Sequence, residues 1–372
     1  MEHRRYGASG LRVSALGFGA MRLPTRRDGQ CDLGLAVPIL RRAIALGVNY
    51  FDSAYDYLGG TSEMAVGEAI QPYPRADLIV STKIPIGHLR GREWRRRLET
   101  QLRRLNTEYI DIMHFHSLGW SAFQSAALGP EGCLRAARQA QAEGLIRHLA
   151  FSSHDSPSNV LRLIETGEFE GLLLQYNLLD RRMADALWAA SQRQMGVAVM
   201  GPLGGGRLAL RRTVGGYAAP DLALRWVLSN PAVSVTLSGM NTLAMVEENA
   251  ASASRTAPFE SGELAAISEL AGAMRGLRDL YCTGCGYCLP CPQGVDIPGN
   301  LLLLNVQRLL GQTEAARQAY ACLLRGEATQ VGEATLTGAA AALCVRCGAC
   351  EPQCPQGLAI MDQLAQAHNA LH

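Results

Sequence analysis

Four polar residues stand close behind short apolar runs in the first third of a 372-residue chain: Asp52, Tyr57, Lys83 and His116. Their types are chemically complementary. A tyrosine hydroxyl, with a reference pKa near ~10, is a poor acid at neutral pH. An ammonium beside it stabilises the phenolate and makes proton donation easier, and a buried carboxylate in turn holds the ammonium. A neutral histidine can orient a carbonyl oxygen by a hydrogen bond. Singly, Asp52 reads equally as a helix cap, Lys83 as a solvated loop charge and His116 as a satisfied core histidine. Together they form a set that donates a proton and polarises a carbonyl, as hydride delivery to a carbonyl requires.

A second constellation is made of thiols. The chain has 11 cysteines, and eight of them fall in two tight runs: Cys282, Cys285, Cys288 and Cys291, then Cys344, Cys347, Cys350 and Cys354. The second run has the spacing C-x-x-C-x-x-C-x-x-x-C-P, in which three cysteines hold one iron–sulfur cluster and the fourth ligates another. The first run is one residue shorter before its last cysteine. Both continue as Cys-Pro-Gln-Gly, which reads as an internal duplication. Disulfides are disfavoured in a reducing compartment. Zinc would suit paired C-x-x-C groups, but four cysteines at two-residue gaps followed by Pro fit cubane clusters better. Two [4Fe–4S] clusters are therefore expected, with crossed ligation. Cys282, Cys285, Cys288 and Cys354 would hold one, and Cys344, Cys347, Cys350 and Cys291 the other. Cys31, Cys133 and Cys322 have no partner spacing and read as buried small apolar residues.

The elements that must position these groups follow from periodicity. Apolar strands read at Val13–Gly17, Val48–Asp52, Leu78–Thr82, Tyr109–His116, His148–Ser152, Gly171–Gln175, Val197–Met200 and Val233–Leu237. Helical patterns lie between them, among them Leu33–Ala45, Ser62–Ile70, Arg92–Leu105, Pro130–Glu143 and Pro157–Glu165. Alternation calls for parallel pairing. Eight repeats over ~250 residues match an α/β fold closed as a (β/α)8 TIM barrel, in which functional residues sit at strand C-termini. Gly17-Phe18-Gly19-Ala20 is too short for a dinucleotide fingerprint. The expected domains are the barrel over 1–256, a linker helix within 257–281 starting near Ser261, and a small, mainly α-helical ferredoxin-like iron–sulfur domain over 282–372.

Composition narrows the class. Hydrophobic residues make up 48% and charged residues 18%, so a sizeable core can form. Net charge is +2, from 35 Lys+Arg against 33 Asp+Glu, which gives no footing for nucleic acid or an anionic membrane surface. Mean hydropathy is +0.02, no apolar run nears the ~18 residues of a spanning helix, and Met1–Tyr6 lacks the apolar core of a signal peptide. A cytoplasmic protein is expected, with no nucleic-acid or membrane partner.

At these residues the chain resembles the aldo-keto reductases over about residues 1–255. Tyr6–Ser14 and Gly17–Pro24 are similar to that family's N-terminus. Phe51-Asp52-Ser53-Ala54, leading to Tyr57 and Ser62-Glu63, is similar to its catalytic signature, and Tyr109–His116 to its histidine strand. The resemblance implies an NADPH- or NADH-dependent carbonyl reductase with Tyr57 as general acid, Asp52 and Lys83 as its tuners and His116 as the orienting group. It implies nucleotide contacts from Gly19, Met21, Ser152, Ser153, Gln175, Met200, Pro202, Leu203, Gly204, Ser238, Gly239, Asn241, Glu248 and Asn249. At the places where NADPH-preferring relatives usually carry a Lys and an Arg, this chain has Gly239 and Met245, so the choice of nucleotide stays open. The helical cysteine module resembles the extension carried by a subgroup of that family.

Three functions are consistent with these readings. One is reduction of a carbonyl compound, an aldehyde or ketone with sugar-like compounds among the candidates, to its alcohol, or the reverse. The second is electron exchange between the clusters and a ferredoxin-type partner. The third is a barrel that binds a ligand without catalysis. Trp120 and Phe123, in the long loop after the fourth strand, read either as substrate walls or as ordinary loop packing.

Overall fold

The computed structural model describes residues 1–26, 28–210, 213–274, 282–331 and 334–372. The chain begins with a hairpin, β1 (His3–Arg5) against β2 (Arg12–Ser14). Eight parallel strands follow: β3 (Leu16–Gly19), β4 (Tyr50–Asp52), β5 (Ile79–Pro85), β6 (Ile110–His116), β7 (Ile146–Ser153), β8 (Gly171–Gln175), β9 (Gly196–Met200) and, after the short pair β10 (Thr213–Val214) and β11 (Tyr217–Ala218), β12 (Val235–Ser238). They close as a barrel in the order β12-β3-β4-β5-β6-β7-β8-β9. β3 starts later than Val13, because Arg12–Ser14 is taken by the hairpin. Helices alternate with the strands, and several bounds coincide with the periodic patterns, including Leu33–Ala45 and Pro157–Glu165. The helix expected from Pro130 begins at Cys133, since Gly132 is its N-cap and the residues before it form a turn.

One plug organises the barrel interior. Tyr6 is fully buried and packs with Tyr50, Ile79, Ile112, Leu173 and Val235. Glycines make room for it: a Cβ at Gly171 or Gly196 would overlap the Tyr6 ring. Such a filled core leaves the chemistry to the strand ends.

The chain divides into two compact units, Met1–Pro202 with Ala223–Pro258, and Leu203–Leu222 with Phe259–His372. The residues after β9 thus group with the C-terminal part of the chain, which a single boundary near residue 256 does not capture. In the second unit a helix spans Ser261–Met274. The last residues of the expected linker helix, and the linker through residue 281, lie outside the described residues. Three further helices, Ile297–Leu310, Thr313–Leu324 and Ile360–Leu371, make the cysteine-bearing part mainly helical. A short antiparallel pair, β13 (Thr329–Val331) with β14 (Ala334–Leu336), adds to them. Asn300, fully buried, fastens the two duplicated segments. Its Nδ2 donates to the carbonyls of Asp296 and Ala339, and its Oδ1 accepts from the Ala341 amide. Among the described residues no helix is long and apolar enough to cross a membrane.

Candidate active site and cysteine-walled cavities

Strand register brings the four polar residues to one end of the barrel. Asp52 stands opposite Ser81, Lys83 opposite His114, and Pro85 opposite His116, so each successive strand advances its functional residue by two positions. Lys83 is 1% exposed and Asp52 3%. Lys83 Nζ makes an ion pair with Asp52 Oδ2 and donates to the Ser53 carbonyl at 2.6 Å. Ser81 Oγ donates to the other Asp52 oxygen at 2.9 Å. Burial pushes the Asp52 carboxyl up, and Lys83 and Ser81 work against it. The ammonium lies 4.9 Å from the centre of the Tyr57 ring, and the His116 ring meets Tyr57 edge-on at 5.8 Å. Tyr57 and His116 remain part-exposed, at the mouth. The packing around His116, with the Lys83 charge, holds its pKa well below 6.5, so the ring is neutral at physiological pH.

The expected nucleotide contacts fall in several settings. Ser152 Oγ accepts from the Ser117 amide at 2.9 Å. Ser153 Oγ donates to the Leu118 carbonyl at 2.7 Å and accepts from Asp155 N. Both hydroxyls therefore also shape the loop after β6. Gln175 Nε2 donates to Asp180 Oδ2 at 3.0 Å, and Arg182 pins that carboxylate. Gly19 and Gly239 face each other closely: a Cβ on Gly19 would lie 3.7 Å from the Gly239 amide nitrogen. Asn249 donates to Ser238 Oγ at 3.1 Å. Met21 and Met200 are part-exposed, and Asn241 and Glu248 are exposed. Pro202 belongs to the first unit, whereas Leu203 and Gly204 belong to the second.

Several residues had no sequence signal. Ser81 steadies Asp52, and Arg22 brings its side chain within 3.1 Å of where a Gly239 Cβ would sit. Both depend on neighbours distant in the chain. Phe123 is 3% exposed and packs on Phe169, while Arg162 covers Trp120 at 3.9 Å. Those two aromatics serve loop packing.

In the second unit the cysteines wall two cavities. One is lined by Cys282, Cys285, Cys288 and Cys354, with Ile297, Leu301 and Ile360 behind them. The other, of ≈ 240 Å³, is lined by Cys291, Cys344, Cys347 and Cys350, and Cys288 borders it too. Each cavity thus draws thiols from both runs. Burial pushes the Cys282 thiol up, with Arg207 working against it, and pushes Cys288 up to about 12. Such thiols ionise when a metal binds them. Their soft, all-sulfur donor sets fit iron–sulfur ligation. Among the described residues no three His, Cys, Asp or Glu side chains converge on a site for one metal ion. Gly205 lies against the first run, where a Cβ would overlap the Thr283 backbone. Cys31 and Cys133 are buried, as small apolar residues would be, but Cys322 is part-exposed and accepts from Arg325 Nη2.

A family model described as the aldo/keto reductase family matches residues 15–221, and one described as a 4Fe–4S dicluster domain matches residues 281–360. The chain belongs to the aldo/keto reductase family and carries a C-terminal 4Fe–4S dicluster domain. It is 28% identical to an uncharacterized oxidoreductase of Bacillus subtilis, over 67% of this chain and 90% of that one. It is 29% identical to the L-galactose dehydrogenase of Arabidopsis thaliana, over 68% and 88%, and 26% identical to the pyridoxine 4-dehydrogenase of Escherichia coli, over 64% and 89%. A holo-form aldo-keto reductase from Bacillus halodurans superposes with a TM-score of 0.62 at 26% identity, covering 73% of this chain and 96% of that one.

Proposed function

We propose that the barrel catalyses interconversion of a small carbonyl compound and its alcohol, with Tyr57 as general acid and base. The observation that carries this reading is the buried Asp52–Lys83 pair beneath Tyr57, with neutral His116 edge-on to the same ring. A reduced nicotinamide nucleotide, when bound, supplies the hydride. Tyr57 Oη gives its proton to the carbonyl oxygen as that oxygen gains charge. The Lys83 ammonium, held by Asp52 and the Ser53 carbonyl, stabilises the phenolate left behind. His116 donates a hydrogen bond to the same oxygen and orients the carbonyl, and alcohol oxidation runs the proton the other way. Gly19, Met21, Ser152, Ser153, Gln175, Met200, Pro202, Leu203, Gly204, Ser238, Gly239, Asn241, Glu248 and Asn249 would hold the nucleotide, and the aliphatic stem of Arg22 lies beside Gly239. Relatives named as dehydrogenases of L-galactose and pyridoxine support a small polar substrate.

The expected result for Tyr57→Phe is a loss of carbonyl reduction of at least about 10²-fold, the size of a positioned general acid's contribution. Nucleotide binding, followed by fluorescence quenching, should stay unchanged. Wild-type turnover in that variant would remove this mechanism.

The second unit supports a further reading, that the eight cysteines hold two [4Fe–4S] clusters in crossed sets. One cavity is walled by the first three thiols of the first run and the last of the second, and the other by the first three of the second run with Cys291, Cys288 bordering both. Such clusters pass one electron at a time, which makes a ferredoxin-type partner the natural exchanger. Under anaerobic conditions NADH or NADPH alone should bleach the cluster absorbance if the barrel feeds the clusters. Unchanged absorbance would assign them a structural or sensing role.

A further inference from the structure

Tyr57 sits in a strained loop. The three residues after it all have left-handed backbone: Leu58 (φ 52°), Gly59 (φ 65°) and Gly60 (φ 88°). For Leu58 that conformation is unfavourable, and such strain persists only where the surroundings over-determine it. From one side the loop is held by Ser62, whose Oγ meets Ser53 Oγ and donates to the Ala20 carbonyl, each at 2.8 Å. From the other side two guanidinium groups flank Tyr55, that of Arg97 at 4.9 Å from the ring centre and that of Arg104, and Arg104 also bonds the loop backbone. Arg104 Nη1 donates to the Tyr55 carbonyl at 2.8 Å, and its guanidinium lies 4.6 Å from the Tyr55 ring centre. It also fills the space over Gly60, where a Cβ would overlap it.

Arg104 is itself fixed by Glu63, fully buried in the next helix, Thr61–Ile70, through Oε2 at 3.2 Å. The other Glu63 oxygen accepts from Thr82 Oγ1 and Gln101 Nε2, both at 2.7 Å. Gln101 also donates to the Lys83 carbonyl. One buried network therefore ties the Tyr57 loop to the strand that carries Lys83. Close helix crossing delivers Arg104 there, since Gly67 lies against the backbone of Leu105.

We propose that the Arg104–Glu63 pair is a positioning device for Tyr57: it clamps the loop from behind and keeps the phenol in register with Lys83. The proposal rests on the reading of Tyr57 as proton donor. Neither residue touches the reacting atoms, so both act through the loop.

Arg104→Ala alone would leave Glu63 buried without its cation and could unfold the helix pair. The main test is therefore the double variant Arg104→Met/Glu63→Gln, which removes both charges at similar volume. The probe is 4-nitrobenzaldehyde with NADPH and with NADH. The expected result is a kcat lower by about 10²-fold, the effect of an ångström-scale misplacement. The KM for the probe and the nucleotide Kd should stay within about threefold, because this pair acts on Tyr57 rather than on binding. In Arg104→Ala, added guanidinium ion should recover part of kcat. A second readout needs no turnover: amide hydrogen exchange over residues 53–62 should rise by about tenfold in the double variant, while that of β6 stays unchanged, as for a locally released segment. A kcat within twofold of the parent, or, should the probe not turn over, unchanged exchange over 53–62, overturns the proposal. Failure of the Tyr57 reading is told apart by Tyr57→Phe: activity retained there removes Tyr57 itself, whereas an inactive Tyr57→Phe beside a fully active double variant removes only the clamp.

Discussion

At the scale of residues, the site is built on charge taken out of water. The Asp52–Lys83 pair is buried, and breaking one partner of such a pair costs about 3–5 kcal/mol because the other charge is stranded. Lys83→Met should lower stability by that amount in urea denaturation, and adding Asp52→Asn should recover most of it. His114 offers a pH test. Its ring is fully buried, and burial and the Lys83 charge hold its pKa down at about 3, with the Phe151 backbone working against them. The unfolded chain takes up a proton near pH ~6.5 and the folded chain does not until about 3, so between those values the unfolded state binds more protons. Stability should therefore fall as pH drops through that window, by up to about 1.4 kcal/mol per pH unit, and His114→Leu should flatten part of that slope. Asp52, Tyr57, Lys83 and His116 were legible in the sequence because residue type and strand-end position are local properties. The Glu63–Arg104–Gln101 network was not, since its hydrogen bonds join residues 38 and 41 positions apart.

At the scale of elements, periodicity located most strands and helices, because a parallel barrel strand buried on both faces reads as a continuous apolar run. Gly171–Gln175 agrees with its expected bounds to the residue. The first strand did not, because the apolar run from Val13 is shared between a hairpin and the barrel, and only the pairing with His3–Arg5 divides it. The same hairpin delivers Tyr6 to the barrel floor. Gly196→Ala should collide with that ring and cost about 1–3 kcal/mol, the usual penalty for overpacking, read as a lower urea midpoint. Combining it with Tyr6→Leu should restore part of the loss.

At the scale of the whole molecule, the fold class and the duplicated cysteine runs were readable from spacing, whereas the grouping of residues 203–222 with the C-terminal unit was not. A glycine run carries no mark of its partner, whereas the structure sets Gly205 against Thr283 and Tyr217 against Gly262. Crossed cysteine sets make a prediction that run-by-run ligation does not. Cys282→Ser/Cys354→Ser touches both runs but only one cavity. Crossed ligation leaves roughly four of eight irons bound, measured by iron analysis after anaerobic purification. Ligation run by run would damage both clusters.

The shared walls have a consequence for assembly. Both cavities close when the two ends of one segment, from Cys282 to Cys354, come together. In a disordered chain that approach costs loop-closure entropy on the order of 4 kcal/mol, and it falls once for the pair. Were each cavity to take a cluster, filling one would leave its neighbour ready-made, and loading should be cooperative without any contact between the two occupants. Titrating iron and sulfide into the apo chain should give, by native mass spectrometry, mostly empty and fully loaded molecules with few between.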